Sequence, residues 1–355
     1  DYYSGTERFL YLGGSLQTSQ AFWEPLADFT SLETFNFSLY TDYRHVYEYV
    51  VPLLFQLPRL SRVVLTRHYL CGDRGTFCNI SLLANHIHGC TQLRSLRVSG
   101  NRLRNDGICF YEALTTLPHL TQLNLDHNKM STLLSAQAVG EALETLVHLR
   151  HLSLVGNLLS AQRVLPIAKA IKSLKSLTWL SIDENPIYNF GAEQVIMACP
   201  PTLRHLGLSS CKLRGGRIWK SLSAKQSYFS HMNWLNMKYN KIRAGGFQTA
   251  FESYFANLKN YPLTSLELNG NDFYNKDLAF ILGHVGHLSV FNESCDYYPP
   301  FGRMPGTLTE DGQALIDRFI EMQPRKLVIS PGSSAPFEDG QVLELDPIRF
   351  APTHL

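Results

Sequence analysis

The sequence lacks an excess of charge of either sign. Lys and Arg total 32 and Asp and Glu total 30 in 355 residues, which gives a formal net charge of +2 at pH 7. Charged residues make up only 17% of the chain, below the roughly 25% that is usual. A near-neutral chain does not hold nucleic acid or an anionic membrane through bulk charge. The weak charge, together with 17 Tyr and 20 Phe, instead favours a surface that is covered in a complex.

Long apolar runs and a dense cysteine framework are also missing. The longest apolar run, Tyr49 to Phe55, is far shorter than the roughly 20 residues that cross a bilayer, so we expect no membrane span. The seven cysteines are an odd number without tight spacing, and a chain of this length folds without disulfides. We therefore expect an intracellular protein with reduced thiols. Asn-x-Ser sequons at Asn36, Asn79 and Asn292 would carry glycans only in a secreted protein.

Motifs of common catalytic sites are absent from the sequence as well. It contains no phosphate-binding glycine loop, no Gly-x-Ser-x-Gly elbow and no His-Glu-x-x-His helix. Cys71, Cys78, His86, His88 and Cys90 lie close together in the sequence but match no tetrahedral zinc spacing. Cys90 falls at a helix position that faces the core, where it would be a small buried hydrophobic residue. We expect no enzyme activity, no metal and no cofactor.

The sequence does contain a repeat of the form Leu-x-x-Leu-x-Leu-x-x-Asn-x-Leu. Seven segments fit this frame, and they begin at Leu93, Leu120, Leu149, Leu177, Leu203, Met232 and Leu263. The residue at the Asn position is Asn101, Asn128, Asn157, Asn185, Cys211, Asn240 or Asn271. Successive segments begin 27, 29, 28, 26, 29 and 31 residues apart. Weaker copies begin at Leu32 and Leu60, and Leu10-x-Leu12 fits a degenerate first strand.

Each repeat predicts a short strand followed by a returning helix. In the first full repeat Leu96 and Val98 lie two residues apart, so both point into the core. Asn101 follows the strand, where its amide satisfies backbone groups of the turn and forms a ladder with the neighbouring repeats. Gly107 and Gly191 fit helix starts, each followed by an apolar helix face. Because helices are wider than strands, we expect the stack to curve with its strands on the concave side.

These residues resemble the leucine-rich repeat superfamily, in the long-repeat subclass of ribonuclease inhibitor. The resemblance implies an α/β leucine-rich-repeat solenoid, a curved horseshoe with a parallel concave β-sheet and helices on the convex side. It covers residues 32–291, about nine repeats with a period of about 28. We expect an N-terminal cap or degenerate first repeat over residues 1–31 and a C-terminal cap and tail over residues 292–355. That C-terminal part predicts strands over residues 326–329 and 341–345.

Side chains between the inward-facing leucines are expected to line the concave face in three columns. One column, called here the aromatic column, places a ring in four successive repeats, at His151, Trp179, His205 and Trp234. Neighbouring strands are about 4.8 Å apart, so the rings are expected to form a line roughly 14 Å long. Exposed Trp is typical of binding hot spots. We predict a partner-binding site that combines the column with Asp183, Glu184, Lys238 and Tyr239. Alternatively, the rings pack on one another or under the C-terminal segment.

We predict a non-catalytic protein–protein interaction module, a scaffold subunit of a larger intracellular assembly. A GTPase activator resembling the Ran GTPase-activating protein of the same subclass is one alternative. The arginines available for that activity are Arg62, Arg97, Arg102 and Arg104. An RNA-associated subunit of a ribonucleoprotein is another alternative. The basic residues that suggest it follow the Leu203 segment, and they are Lys212, Arg214, Arg217, Lys220 and Lys225.

Overall fold

A computed structural model describes most of the repeat region. The described residues are 9–13, 24–38, 44–66, 80–268, 270–273, 277, 280–281, 283–285, 290–293, 327–329 and 343–345. Cys71 and Cys78 lie outside them, as do most residues of the expected caps. The chain divides into two compact units, Asp1–Asn185 with Ala198–Pro200, and Pro186–Met197 with Pro201–Leu355.

Within the described residues, the first unit contains seven strands that pair in parallel in chain order. They are β1 (Phe9–Gly13), β2 (Thr34–Ser38), β3 (Arg62–Thr66), β4 (Ser95–Ser99), β5 (Gln122–Asn124), β6 (His151–Ser153) and β7 (Trp179–Ser181). The helices between them are α1 (Arg44–Leu54), α2 (Ile80–Ile87), α3 (Ile108–Leu114), α4 (Leu133–Thr145) and α5 (Val164–Ile171). The predicted alternation of strand and helix is confirmed, including the strand at Leu10.

The described part of the second unit continues the same pattern. Its strands are β8 (His205–Gly207), β9 (Arg214–Gly215), β10 (Trp234–Asn236), β11 (Lys241–Ile242), β12 (Ser265–Glu267), β13 (Val290–Glu293), β14 (Leu327–Ile329) and β15 (Leu343–Leu345). Strands β8, β10, β12, β13 and β14 pair in parallel, whereas β15 is antiparallel to β14. The short strands β9 and β11 form a separate parallel pair. The two strands predicted near the C-terminus are therefore confirmed.

The helices described in the second unit are α6 (Tyr188–Ala198, of which the last residue belongs to the first unit), α7 (Arg217–Lys225) and α8 (Gln248–Ala256). The prediction that Gly191 begins a helix is wrong, because α6 already begins at Tyr188. The Gly191 N–H donates to the Ile187 carbonyl at 3.1 Å, so Gly191 lies inside the first turn. The prediction for Gly107 is confirmed, since it is the N-cap residue of α3.

The leucines of the frame form the core of each unit. The central strand residues are at most 2% exposed, and they are Leu96, Leu123, Leu152, Leu180, Leu206, Leu235 and Leu266. Helix residues that face them, such as Leu114 and Val195, are also buried. Each buried side chain of this size contributes about 1.5–3 kcal/mol relative to an exposed one, so stacking of the repeats supplies most of the stability of the fold.

A ladder of buried asparagines follows the strand ends of the first unit. The backbone N–H groups of Asn101, Asn128 and Asn157 each donate to the side-chain oxygen of the next asparagine, at 3.0, 2.8 and 2.9 Å. The last acceptor is Asn185, whose Nδ2 donates to the Leu154 carbonyl at 2.8 Å. The predicted ladder is confirmed, and it satisfies backbone groups that would otherwise be buried without partners.

The second unit uses the same arrangement. The Asn240 side-chain oxygen accepts from the N–H groups of Cys211 and Leu213, at 2.9 and 3.0 Å. The Asn271 side-chain oxygen accepts from the Ile242 N–H at 3.0 Å. Cys211 is fully buried at the Asn position, where its smaller, softer side chain has no amide to continue the ladder.

The residue before the Asn position has a left-handed backbone in all seven repeats. Positive φ angles occur at Gly100, His127, Gly156, Glu184, Ser210, Tyr239 and Gly270. Glycine adopts this conformation freely, whereas other residues are disfavoured by about 1–2 kcal/mol. Glu184 and Tyr239, two residues of the predicted site, therefore occupy positions at which the backbone alone favours glycine.

Candidate partner-binding face

In the first unit the aromatic column lies on the strand face that is turned away from the leucine core. His151 of β6 pairs in register with Trp179 of β7, while the adjacent Leu152 and Leu180 are fully buried. His151 is exposed and Trp179 is half-buried. Their ring centroids lie 6.5 Å apart with an interplanar angle of 32°. These two predicted rings therefore lie outside the core and next to each other.

The second unit presents the same pairing. His205 of β8 pairs in register with Trp234 of β10, and their ring centroids lie 5.9 Å apart in an edge-to-face arrangement. Both side chains are half-buried. Burial lowers the pKa of His205 below its usual value, and the positive charge of Arg204 adds to this, whereas the Asn233 side chain acts in the opposite direction. The lowered pKa favours the neutral imidazole at pH 7.

Glu267 of β12 holds two predicted site residues of the second unit in place. The Trp234 Nε1–H donates to Glu267 Oε1 at 2.8 Å, and the Lys238 ammonium forms an ion pair with Glu267 Oε2. The Glu267 side chain is only 12% exposed, so both contacts are shielded from water and strengthened. Sequence reasoning missed Glu267 as a site residue. Glu267 pairs in register with Asn236 of β10, two residues after the position of the aromatic column in its own strand. That position between two inward-facing leucines was the available signal.

Three carboxylates follow the strands β5 and β7 of the first unit. Asp183 is half-buried and accepts a hydrogen bond from the Ser181 hydroxyl at 2.7 Å, and Glu184 is exposed. The structure adds Asp126, which accepts from the Ser153 hydroxyl at 2.5 Å. Ser153 and Ser181 were expected to line the face, but both are buried, because these small side chains lie against the carboxylates that they bind.

Tyr239 lies at the end of β10 and is 62% exposed. Its ring covers the backbone of Gly270 in the next repeat, where an added Cβ would meet the Tyr239 Cδ1 at 2.6 Å. Gly270 also has a φ of +76°, so both the space and the backbone require glycine. The Tyr239 ring is thereby supported on one side while the other side remains accessible.

Other candidate residues have structural roles. Arg62 donates to the Gln122 side chain at 3.1 Å, and Arg97 donates to the Ser99 hydroxyl at 3.3 Å. Cys90 is buried as predicted, and its thiol donates to the His86 carbonyl at 3.1 Å. Burial raises the pKa of Cys90. Among the described residues, no group of three or more His, Cys, Asp or Glu is arranged to hold a metal ion, and no helix has the length and apolarity to cross a membrane.

No protein-family model matches the sequence, and no curated protein matches it significantly. Solved structures are similar in fold. The internalin InlF of Listeria monocytogenes aligns with a TM-score of 0.50 and 18% identity over 81% of this chain and 81% of its own. TLR13, from its complex with ssRNA13, aligns with a TM-score of 0.48 and 19% identity over 77% of this chain and 34% of its own. The tropomodulin C-terminal domain of Caenorhabditis elegans aligns with a TM-score of 0.35 and 16% identity over 42% of this chain and 95% of its own. The internalin is a leucine-rich repeat protein, so the chain has an α/β leucine-rich-repeat solenoid fold.

Proposed function

We propose that this protein is a non-catalytic protein–protein interaction module that binds a protein partner on its strand face, as a scaffold subunit of a larger intracellular assembly. The observation that carries the proposal is the pairing of rings outside the core, His151 with Trp179 and His205 with Trp234. Trp is enriched at the energetic centres of protein interfaces. A single exposed ring needs no explanation, whereas indoles that recur at the same repeat position do.

The surroundings of the rings also support binding. Glu267 fixes the Trp234 indole and Lys238 in one arrangement, and a preorganised anchor lowers the entropy lost on association. Polar residues that are exposed or half-buried follow the strands that carry the indoles, Asp183 and Glu184 after β7 and Tyr239 after β10. Aromatic anchors with polar neighbours are typical of protein interfaces.

The same contacts favour binding over catalysis. An active site needs an acid, a base and an orienting group that converge on one point. On this face the Asp126 carboxylate accepts from Ser153 and from the Val155 N–H, and Glu267 binds Trp234 and Lys238. These carboxylates hold their neighbours in place. The period near 28, with a helix in each full repeat, supports the ribonuclease-inhibitor-like subclass. Residues 1–31 would then be an N-terminal cap or degenerate first repeat, and residues 292–355 a C-terminal cap and tail.

Trp179→Ala combined with Trp234→Ala is expected to weaken partner capture at least about 100-fold, because two hot-spot side chains are removed. The melting temperature should change by only a few degrees, since neither ring belongs to the core. Affinity purification from cells with quantitative mass spectrometry measures the capture.

The matched control is Met197→Ala combined with Tyr228→Ala, which removes two exposed apolar side chains from the helical side. This control should retain the partner. A large drop in melting temperature with the partner still bound would show that the rings only pack on one another.

A further inference from the structure

Basic side chains line the segments that follow two strands of the second unit. Lys212 and Arg214 follow β8, and Lys241 and Arg243 follow β10. Lys212 and Lys241 both lie one residue after the Asn position, and Arg214 and Arg243 both lie three residues after it. All four residues are exposed. The cations therefore recur at equivalent positions of consecutive repeats.

Strands β9 and β11 bring these cations side by side. Arg214 pairs in parallel register with Lys241, and the Lys241 N–H donates to the Leu213 carbonyl at 2.8 Å. Neighbouring parallel strands lie about 4.8 Å apart. Side chains of like charge that extend from paired residues of neighbouring strands repel each other, and a bound anion relieves the repulsion.

Three of these cations, Lys212, Arg214 and Lys241, have no carboxylate as an ion-pair partner among the described residues. Glu193 pairs with Arg217 at 3.1 Å. Because the whole chain carries a formal charge of only +2, this row is a local concentration of positive charge and does not reflect general basicity.

One exposed aromatic ring, that of Tyr188, lies beside the cations, and a second exposed ring, Phe190, follows two residues later in the sequence. Tyr188 is 44% exposed and Phe190 is 46% exposed, both in the first turn of α6. The Lys212 ammonium lies 6.0 Å from the centroid of the Tyr188 ring. Rings that are half exposed at a positively charged edge offer flat apolar surfaces that water solvates poorly.

Asn189, which lies between Tyr188 and Phe190 in the sequence, binds the backbone of one of the cationic residues. Its Nδ2 donates to the Arg214 carbonyl at 2.7 Å, and its Oδ1 accepts from the Arg214 N–H at 2.9 Å. This two-way contact joins the start of α6 to β9. The start of α6 and the cations therefore lie on segments that are joined to each other. We call this region the basic–aromatic edge and define it as Tyr188, Phe190, Lys212, Arg214 and Lys241.

We propose that the basic–aromatic edge binds single-stranded nucleic acid. The cations neutralise backbone phosphates, and the rings stack on unpaired bases. An acidic protein segment would use the cations but not the rings, and the stacked bases of a duplex would not reach the rings. The proposal goes beyond partner binding, because the edge shares no residue with the aromatic column.

Fluorescence anisotropy of the full-length chain with a labelled 20-nucleotide oligouridylate, at several salt concentrations, tests the proposal. Arg214→Gln combined with Lys241→Gln should weaken binding at least about 10-fold. Loss of two phosphate contacts should also reduce the slope of log affinity against log salt by about 1.4, at roughly 0.7 per contact for single strands. Tyr188→Ala combined with Phe190→Ala should weaken binding about 10-fold or more and leave that slope unchanged.

Lys172→Gln combined with Lys259→Gln removes the same charge from exposed sites elsewhere and should leave the affinity unchanged. The Trp179→Ala and Trp234→Ala variant should bind the oligonucleotide normally, which separates this proposal from the partner-binding one. Three results would each overturn the nucleic-acid proposal. The first is no binding of the oligouridylate, and the second is equal affinity for a 20-bp duplex. The third is equal affinity for a 20-residue polyglutamate peptide, together with unchanged oligonucleotide affinity in the Tyr188→Ala and Phe190→Ala variant. The last result would assign the edge to an acidic protein segment.

Discussion

Replacing Trp219 with alanine is expected to lower the free energy of unfolding of the second unit by about 3–5 kcal/mol. Trp219 of α7 is fully buried, and its ring centroid lies 5.3 Å from Phe251, 5.6 Å from Tyr254 and 5.2 Å from Phe255. Its Nε1–H donates to the Arg243 carbonyl at 3.1 Å. Alanine would leave a large cavity among the rings and would remove the hydrogen bond to the Arg243 carbonyl.

Urea denaturation followed by far-ultraviolet circular dichroism measures this loss. The matched variant Trp219→Phe keeps a ring in the cluster and removes the N–H donor, so we expect a smaller loss of about 1–3 kcal/mol. Since domains are stable by only about 5–15 kcal/mol, the alanine variant should also unfold at a clearly lower urea concentration. A loss below about 1 kcal/mol for Trp219→Ala would contradict the cluster as a main source of stability.

Asn185→Leu is expected to lower the free energy of unfolding of the first unit by about 2–5 kcal/mol. The Asn185 side-chain oxygen accepts from the N–H groups of Asn157 and Leu159, at 2.9 and 3.0 Å, and its Nδ2 donates to the Leu154 carbonyl. Leucine has a similar size but satisfies none of these groups, and each buried polar group left unpaired costs about 1–3 kcal/mol.

The control for the ladder is Asn260→Ala, at an exposed position of the second unit, which should change stability by no more than about 0.5 kcal/mol. Thermal and urea denaturation of both variants give the comparison. Equal stabilities for Asn185→Leu and Asn260→Ala would show that the ladder contributes little.

The repeat frame predicted the strands, the ladder and the side of the strands on which the aromatic column lies, because each depends only on residue spacing. Leu96 and Leu123 align as neighbours at a spacing of 27 residues, and the structure pairs them. A period of two along each strand then separates the core side from the outer side. The strands recur in every full repeat because the same short-range geometry recurs in each one, whereas the ladder lacks an amide at Cys211.

The contacts between side chains could not be predicted from spacing. The bonds of Glu267 to Trp234 and Lys238 depend on rotamers that the frame does not determine. Ser153 and Ser181 occupy face positions but are buried, since their exposure depends on the size of the neighbouring side chains. The contacts of Trp219 with Phe251, Tyr254 and Phe255 join two helices, α7 and α8, and the period alone does not determine how helices pack.

Site-specific photo-crosslinking in cells tests the central claim, that a protein partner binds the strand face, most directly. A photoreactive phenylalanine analogue would replace exposed His151 in the aromatic column, and a second variant would carry it at exposed Glu141 on α4. The account predicts a discrete crosslinked protein from position 151 and none from position 141. Crosslinks from position 141 with none from position 151 would place the partner on the helical side and contradict the account.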